Sequence, residues 1–90
     1  MVAKYIDACM RNAHYELMEE DSSVWGEIPG VMGVWAKQPT LEACREDLKE
    51  TLSDWLVVRF QRHLSVPVIE GLDLNTITGD LLVDEALTPA

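Results

Sequence analysis

Apolar and polar positions along this chain form two helical patterns that enclose a stretch of strand-like alternation. Val2, Tyr5, Ile6, Cys9 and Met10 recur at the i, i+3, i+4, i+7, i+8 spacing of one apolar stripe, and Lys4, Asp7 and Arg11 fall outside it. The spacing predicts a short helix over Val2–Arg11. So short a helix is marginal alone in water, so it must dock on its own sheet or on another subunit. From His14 to Glu20 the pattern changes to alternation, with Tyr15 and Leu17 on one side and Glu16 and Met18 on the other. Glu20-Asp21-Ser22-Ser23 reads as a turn, because Asp and Ser side chains bond nearby backbone groups. Val24 to Ile28 then reads as the returning strand of an antiparallel hairpin. Ile28-Pro29-Gly30 ends it, since Pro29 has no N–H for a ladder bond. Gly33 to Ala36 is predicted as a brief third strand that stops before Lys37-Gln38-Pro39.

The helical period returns at Thr40. This residue is the predicted N-cap, its hydroxyl accepting from an orphan N–H of the first turn, while Glu42 complements the positive end of the helix dipole. Leu41, Cys44, Leu48, Leu52, Trp55 and Leu56 form the buried stripe, continued by Arg59 and Phe60. Glu42, Glu46, Lys49, Glu50 and Asp54 lie opposite, and Arg59, Arg62 and His63 bring positive charge to the C-terminal turns. Beyond the helix, Val66-Pro67-Val68-Ile69 is predicted as a fourth strand at a sheet edge, where proline is tolerated. The expected architecture is therefore α+β: a small antiparallel sheet packed on one long helix, with an extra N-terminal helix. Residues 1–75 make the domain, and residues 76–90 are expected to be a loose acidic tail.

A chain of 90 residues holds one hydrophobic core, and a modest one. Such a domain leaves apolar surface uncovered, so self-association into a dimer or tetramer is expected. Three tryptophans add to that expectation, because aromatic side chains contribute heavily to interfaces, although at least one should be structural. Seven basic residues stand against sixteen acidic ones, a formal net charge of −9. That sign repels phosphate backbones, argues against direct nucleic-acid binding, and favours a basic partner. No apolar run is long enough to span a bilayer, and charges interrupt the first residues too closely for a signal peptide. Cys9 and Cys44 both sit on apolar helix faces, which suits buried, reduced thiols in a cytoplasmic protein. Nothing calls for a disulfide between them, though spacing does not forbid one.

Candidate chemistry is sparse. A metal site needs convergent ligands, yet the two histidines lie far apart and the cysteines lack paired spacing. A thiol nucleophile needs exposure beside a base, which apolar stripes do not provide. Glu16, Glu19, Glu20, Asp21 and Glu27 gather around the hairpin, and clustered acids can bind magnesium or perform acid–base work. Strand alternation, however, splits such residues between faces. Neither enzyme activity nor a cofactor is expected, and a magnesium-dependent nuclease remnant is the residual catalytic reading. Binding demands only surface. Trp25 and Trp35 lie on neighbouring short strands among acids, and either can be read as gripping a basic protein or as completing the core beneath the long helix.

The run Ile28-Pro29-Gly30-Val31-Met32-Gly33-Val34, followed by Thr40-Leu41-Glu42-Ala43-Cys44, resembles the signature of HicB-like antitoxins. These typically pass from an acidic hairpin with an aromatic residue, here Glu20-Asp21-Ser22-Ser23-Val24-Trp25, through a Pro-Gly segment and short strand to Thr-x-x-Glu-Ala at the helix start. The resemblance covers Tyr15 to Leu64. It departs from the family pattern at Met32, where a second proline is usual, at Gln38, where a glycine is usual, and at Ala43 and Cys44. It implies a β-β-β-α-β layer like a trimmed, partial RNase H-like fold without its catalytic carboxylates, assembled into oligomers. The implied partner is a HicA-like toxin, a small basic RNA-cleaving protein whose active site the antitoxin covers. Glu19, Glu20 and Asp21, with Trp25 and Trp35, are the residues expected at that contact. The DNA-binding module of many members is not expected in the short acidic remainder after Ser65. The alternative is an orphan member that serves as an interaction or small-molecule-binding module without a toxin.

Overall fold

The computed structural model describes residues 2–75. Two helices and a three-stranded antiparallel sheet make an α+β fold: α1 (Val2–Arg11), β1 (His14–Met18), β2 (Ser23–Glu27), β3 (Trp35–Gln38) and α2 (Leu41–Gln61), with strand order β1-β2-β3. The expected tail at residues 76–90 lies outside the described residues.

Both helices follow their stripes. On α1, Tyr5, Ala8 and Cys9 are buried, while Val2, Ile6 and Met10 pack partly buried against the core. On α2, Cys44, Leu48, Leu52, Leu56 and Phe60 are buried. Thr40 caps the helix as expected, its Oγ1 accepting from the Ala43 N–H at 3.1 Å. At the other end His63 takes a left-handed φ of 55°, and the Leu64 and His63 N–H groups return to the Arg59 and Phe60 carbonyls. This paired closure satisfies carbonyls that the helix end would otherwise leave orphaned. Leu41 departs from the stripe. It is 54% exposed, because the first residue of α2 lies before the turn that meets the sheet.

The hairpin pairs Tyr15 with Gly26 and Leu17 with Val24, and β2 pairs with β3 through Gly26–Ala36 and Trp25–Lys37. The third strand therefore lies two residues later than the Gly33–Ala36 expectation and includes Lys37 and Gln38. Gly33, at φ 88°, sits in a left-handed turn rather than in extended backbone, so pairing starts only at Trp35. Tyr15, Gly26 and Ala36 point towards α2. A Cβ at Gly26 would stand 2.9 Å from Cys44 Sγ and 3.0 Å from the Tyr15 ring. The absence of a side chain at Gly26 is what lets the helix approach β2 this closely.

The expected fourth strand at Val66–Ile69 is not a ladder strand, since the segment carries a single bridge, between Ile69 and Leu72. Side chains take the bonds a neighbouring strand would have made. Asn75 accepts from the Val66 N–H at 2.8 Å and donates to the Val66 carbonyl at 2.7 Å. The Tyr5 hydroxyl donates to the Pro67 carbonyl at 2.6 Å, and Arg59 donates twice to the Ser65 carbonyl. Arg11 and Asn12 clamp Glu70, which lies in the tight turn joining the bridged residues. The segment buries Val66, Ile69 and Leu74 against the helices and so closes the core.

Candidate functional site

The core lies on the helix side of the sheet, which leaves the other side to solvent. Period-2 alternation together with the register assigns that outer side to His14, Glu16 and Met18 of β1, Ser23, Trp25 and Glu27 of β2, and Trp35 and Lys37 of β3. His14, Glu16, Glu27, Trp35 and Lys37 are exposed, and Trp25 is half-buried.

Trp25 and Trp35 are diagonal neighbours across β2 and β3, and their rings stack with centroids 4.7 Å apart and planes 8° from parallel. Diagonal cross-strand positions are within reach of aromatic side chains, and such a stack contributes about 0.5–1.5 kcal/mol beyond its buried area. The Trp25 indole N–H donates to Glu27 Oε1 at 2.8 Å, which fixes the ring and its carboxylate together. Glu16 stands directly opposite Trp25 on β1, and His14 opposite Glu27. Both tryptophans thus belong to the outer face and not to the core. Trp55, on α2, is the structural tryptophan: it packs half-buried against the core with the Arg59 guanidinium 5.2 Å from its ring centroid.

The hairpin acids are placed differently. Glu19, Glu20 and Asp21 are exposed in the turn between β1 and β2, beyond the tryptophan pair. Asp21 is committed to local structure. Its Oδ1 accepts from the Ser23 hydroxyl at 2.6 Å and the Ser23 N–H at 3.1 Å, and its Oδ2 pairs with Lys37 Nζ at 2.9 Å. Those bonds, the Ser23 hydroxyl first, pull the Asp21 carboxyl from its ordinary 3.8 down to about 2. A depressed carboxyl stabilises the folded state fully above its ordinary value, and that contribution fades as pH falls through the depressed one. A carboxyl-detected NMR titration should therefore place Asp21 at a midpoint near 2. Ser23→Ala should raise that midpoint, and an unmoved midpoint would assign the depression to Lys37 and the residue-23 N–H without the hydroxyl.

The outer-face residues Glu16, Glu27, His14 and Lys37 were not separable from the rest by composition. The signal that groups them is strand parity, which becomes readable once the register is known. Glu16 and Glu27 do share a face, so alternation does not separate these two acids of the hairpin cluster. The cysteines hold no such place. Cys9 is buried with its thiol pushed up to about 11, chiefly by burial. Cys44 is buried, is raised for the same reason, and donates to the Ala36 carbonyl at 3.5 Å. Both thiols are free of a disulfide and held protonated, the opposite of what a nucleophile needs. Among the described residues no group of three or more His, Cys, Asp or Glu side chains is arranged to hold a metal ion. No described helix is long and apolar enough to cross a membrane.

A larger groove of about 540 Å³ runs between the two helices, lined by Asp7, Met10, Arg11, Glu42, Arg45, Glu46 and Lys49. Its three acids and three bases offset one another, and it holds no aromatic group. The outer sheet face combines an unbalanced charge with an exposed aromatic surface, which makes it the stronger candidate for binding.

Comparison with known proteins agrees with the fold. The model of the UPF0150-like family matches residues 4–67. A crystal structure of the protein TTHA0281 from Thermus thermophilus is similar to this one with a TM-score of 0.74 and 33% sequence identity, covering 80% of this chain and 89% of that one. A search of curated proteins finds no match.

Proposed function

The chain belongs to the UPF0150-like family, and from that membership we propose that it is an antitoxin of the HicB-like type, which binds a small basic RNA-cleaving toxin and neutralises it by covering its active site. The observation that carries this reading is the uncovered outer sheet face, with its stacked tryptophans flanked by Glu16 and Glu27, on a chain of net charge −9. A carboxylate-bearing surface can occupy ground that RNA phosphates would otherwise take on a basic nuclease, and opposite charge speeds the encounter. The role is binding without catalysis. Self-association belongs to the same reading: β1 and β3 are the outer strands of the described sheet, and Leu17 on β1 is 66% exposed.

The test is capture of the protein from its native lysate at low salt, with co-eluting chains identified by mass spectrometry. The expected result is a small basic protein that salt releases, that cleaves RNA by itself, and that loses this activity when the antitoxin is added back. Recovery of its own copies alone would replace this reading with that of an orphan interaction module.

A further inference from the structure

We propose that the outer sheet face reads an arginine side chain of a basic protein partner, the Trp25–Trp35 stack receiving the guanidinium plane while Glu16 and Glu27 accept its N–H donors. The inference rests on the partner-binding reading above and names the chemistry of that contact.

Charge decides the occupant first. The lysine on this face, Lys37, is paired with Asp21 at 2.9 Å, so it does not offset Glu16 or Glu27. Only one oxygen of Glu27 is engaged by the Trp25 indole, which leaves the other to accept from a partner. A depression of about 290 Å³ beside the ring is lined by His14, Tyr15, Glu16, Trp25 and Glu27, so both carboxylates and an aromatic surface border one space. Trp35, 51% exposed, is stacked on Trp25 and borders with it and Glu27 a second, adjoining depression towards β3.

Shape decides it further. A guanidinium is planar, weakly hydrated, and able to stack flat on an indole while donating in plane to carboxylates, whereas an ammonium is a strongly hydrated point charge that loses more hydration on an indole face and cannot stack flat on it. Stacked aromatic surfaces also serve single-stranded nucleic acid, but those sites add a positively charged groove for the backbone. Here two carboxylates stand in that place and repel phosphate. The indole–carboxylate bond and the ring stack hold the surface in position before a partner arrives, so little ordering cost is left for binding.

The proposal is tested on the full chain with two capped peptides, identical except that one carries three arginines and the other three lysines, spaced by glycine. Binding is followed at low salt by calorimetry and indole fluorescence. The arginine peptide should bind at least about threefold tighter, the gain expected of cation–π contact. Trp35→Ala should abolish the preference and Trp35→Phe should retain part of it. Each should still unfold in one cooperative urea transition, with Trp35→Ala lowered by about the 0.5–1.5 kcal/mol of the lost stack plus its buried area. Glu16→Gln and Glu27→Gln should each weaken the arginine peptide about two- to tenfold, as loss of a charge-assisted hydrogen bond does. Glu19→Gln with Glu20→Gln should leave the preference intact. Equal binding of the two peptides, a preference that survives Trp35→Ala, or tighter binding of a short oligouridine would overturn the inference. A preference abolished only by the Glu19 and Glu20 changes, with a basic toxin still captured from the lysate, would overturn this site and leave the antitoxin reading standing. A preference that maps to the sheet face when no such toxin is captured would uphold the site and remove the antitoxin reading.

Discussion

Gly26→Val is expected to cost the fold about 3 kcal/mol or more, at the upper end of what overpacking a close-packed interior does. The first added carbon would already stand 2.9 Å from Cys44 Sγ, closer than real contacts come, and 3.0 Å from the Tyr15 ring, tighter than nearly all of them. Cys44 is fully buried and tied to the Ala36 carbonyl, so it cannot swing away. Gly26→Ala is the milder case. Replacing glycine in a strand recovers about 0.5–1 kcal/mol of backbone entropy, which offsets part of the clash. Chemical denaturation should show a loss for Gly26→Ala that shrinks in the Gly26→Ala/Cys44→Ala double variant, measured against Cys44→Ala alone. Equal stability of Gly26→Ala and the parent would mean that Cys44 on the helix stands farther from Gly26 than the close approach requires.

Leu52→Ala is expected to lose about 2–5 kcal/mol, the cost of the removed methyl groups plus the cavity left behind. Leu52 is fully buried at the middle of α2, among Leu48, Leu56 and Tyr5 in the same core. Small domains have total stabilities of about 5–15 kcal/mol, so this single change removes a large fraction of the total. Leu41→Ala is the control. That residue is more than half exposed, and its truncation should change stability by about 0.5 kcal/mol or less. A comparable loss at both positions would return Leu41 to the buried stripe.

The contrast between these two leucines marks what spacing can and cannot carry. A 3.6-residue period is a local property, and it locates α1, the Thr40 cap and the start of α2 to the residue, while α2 ends at Gln61, before the Arg62 and His63 expected in its last turns. It does not say where along a helix the sheet begins, and Leu41 lies before that point. The same limit moved the third strand. Val34 and Ala36 are apolar enough for a strand from Gly33, but pairing with β2 starts at Trp35, opposite Glu27, after a glycine turned left-handed. Beyond α2, Val66-Pro67-Val68-Ile69 carries one bridge in place of the expected ladder; Asn75 and Tyr5 bond its backbone, and Arg59 bonds the Ser65 carbonyl just before it. Those partners lie from six to sixty-two residues away in sequence, where no periodicity reaches.

The candidate site divides in the same way. The acidic excess, the aromatic residues at 25 and 35 and the family signature were all present in the chain as written. Which side of the strands faced water was not. Alternation sorts residues into two sets, and burial of Tyr15, Ala36 and the space at Gly26 under α2 is what sends Glu16, Trp25, Glu27 and Trp35 outward. Sequence alone determined the two helices, the hairpin, the capping chemistry and the sign of the surface charge, because each depends on near neighbours or on composition. Only the tertiary structure decided that two tryptophans ten positions apart stack beside two carboxylates while Asp21 is tied to Lys37. Those contacts depend on strand register, and register is set by the whole sheet packing against its helix.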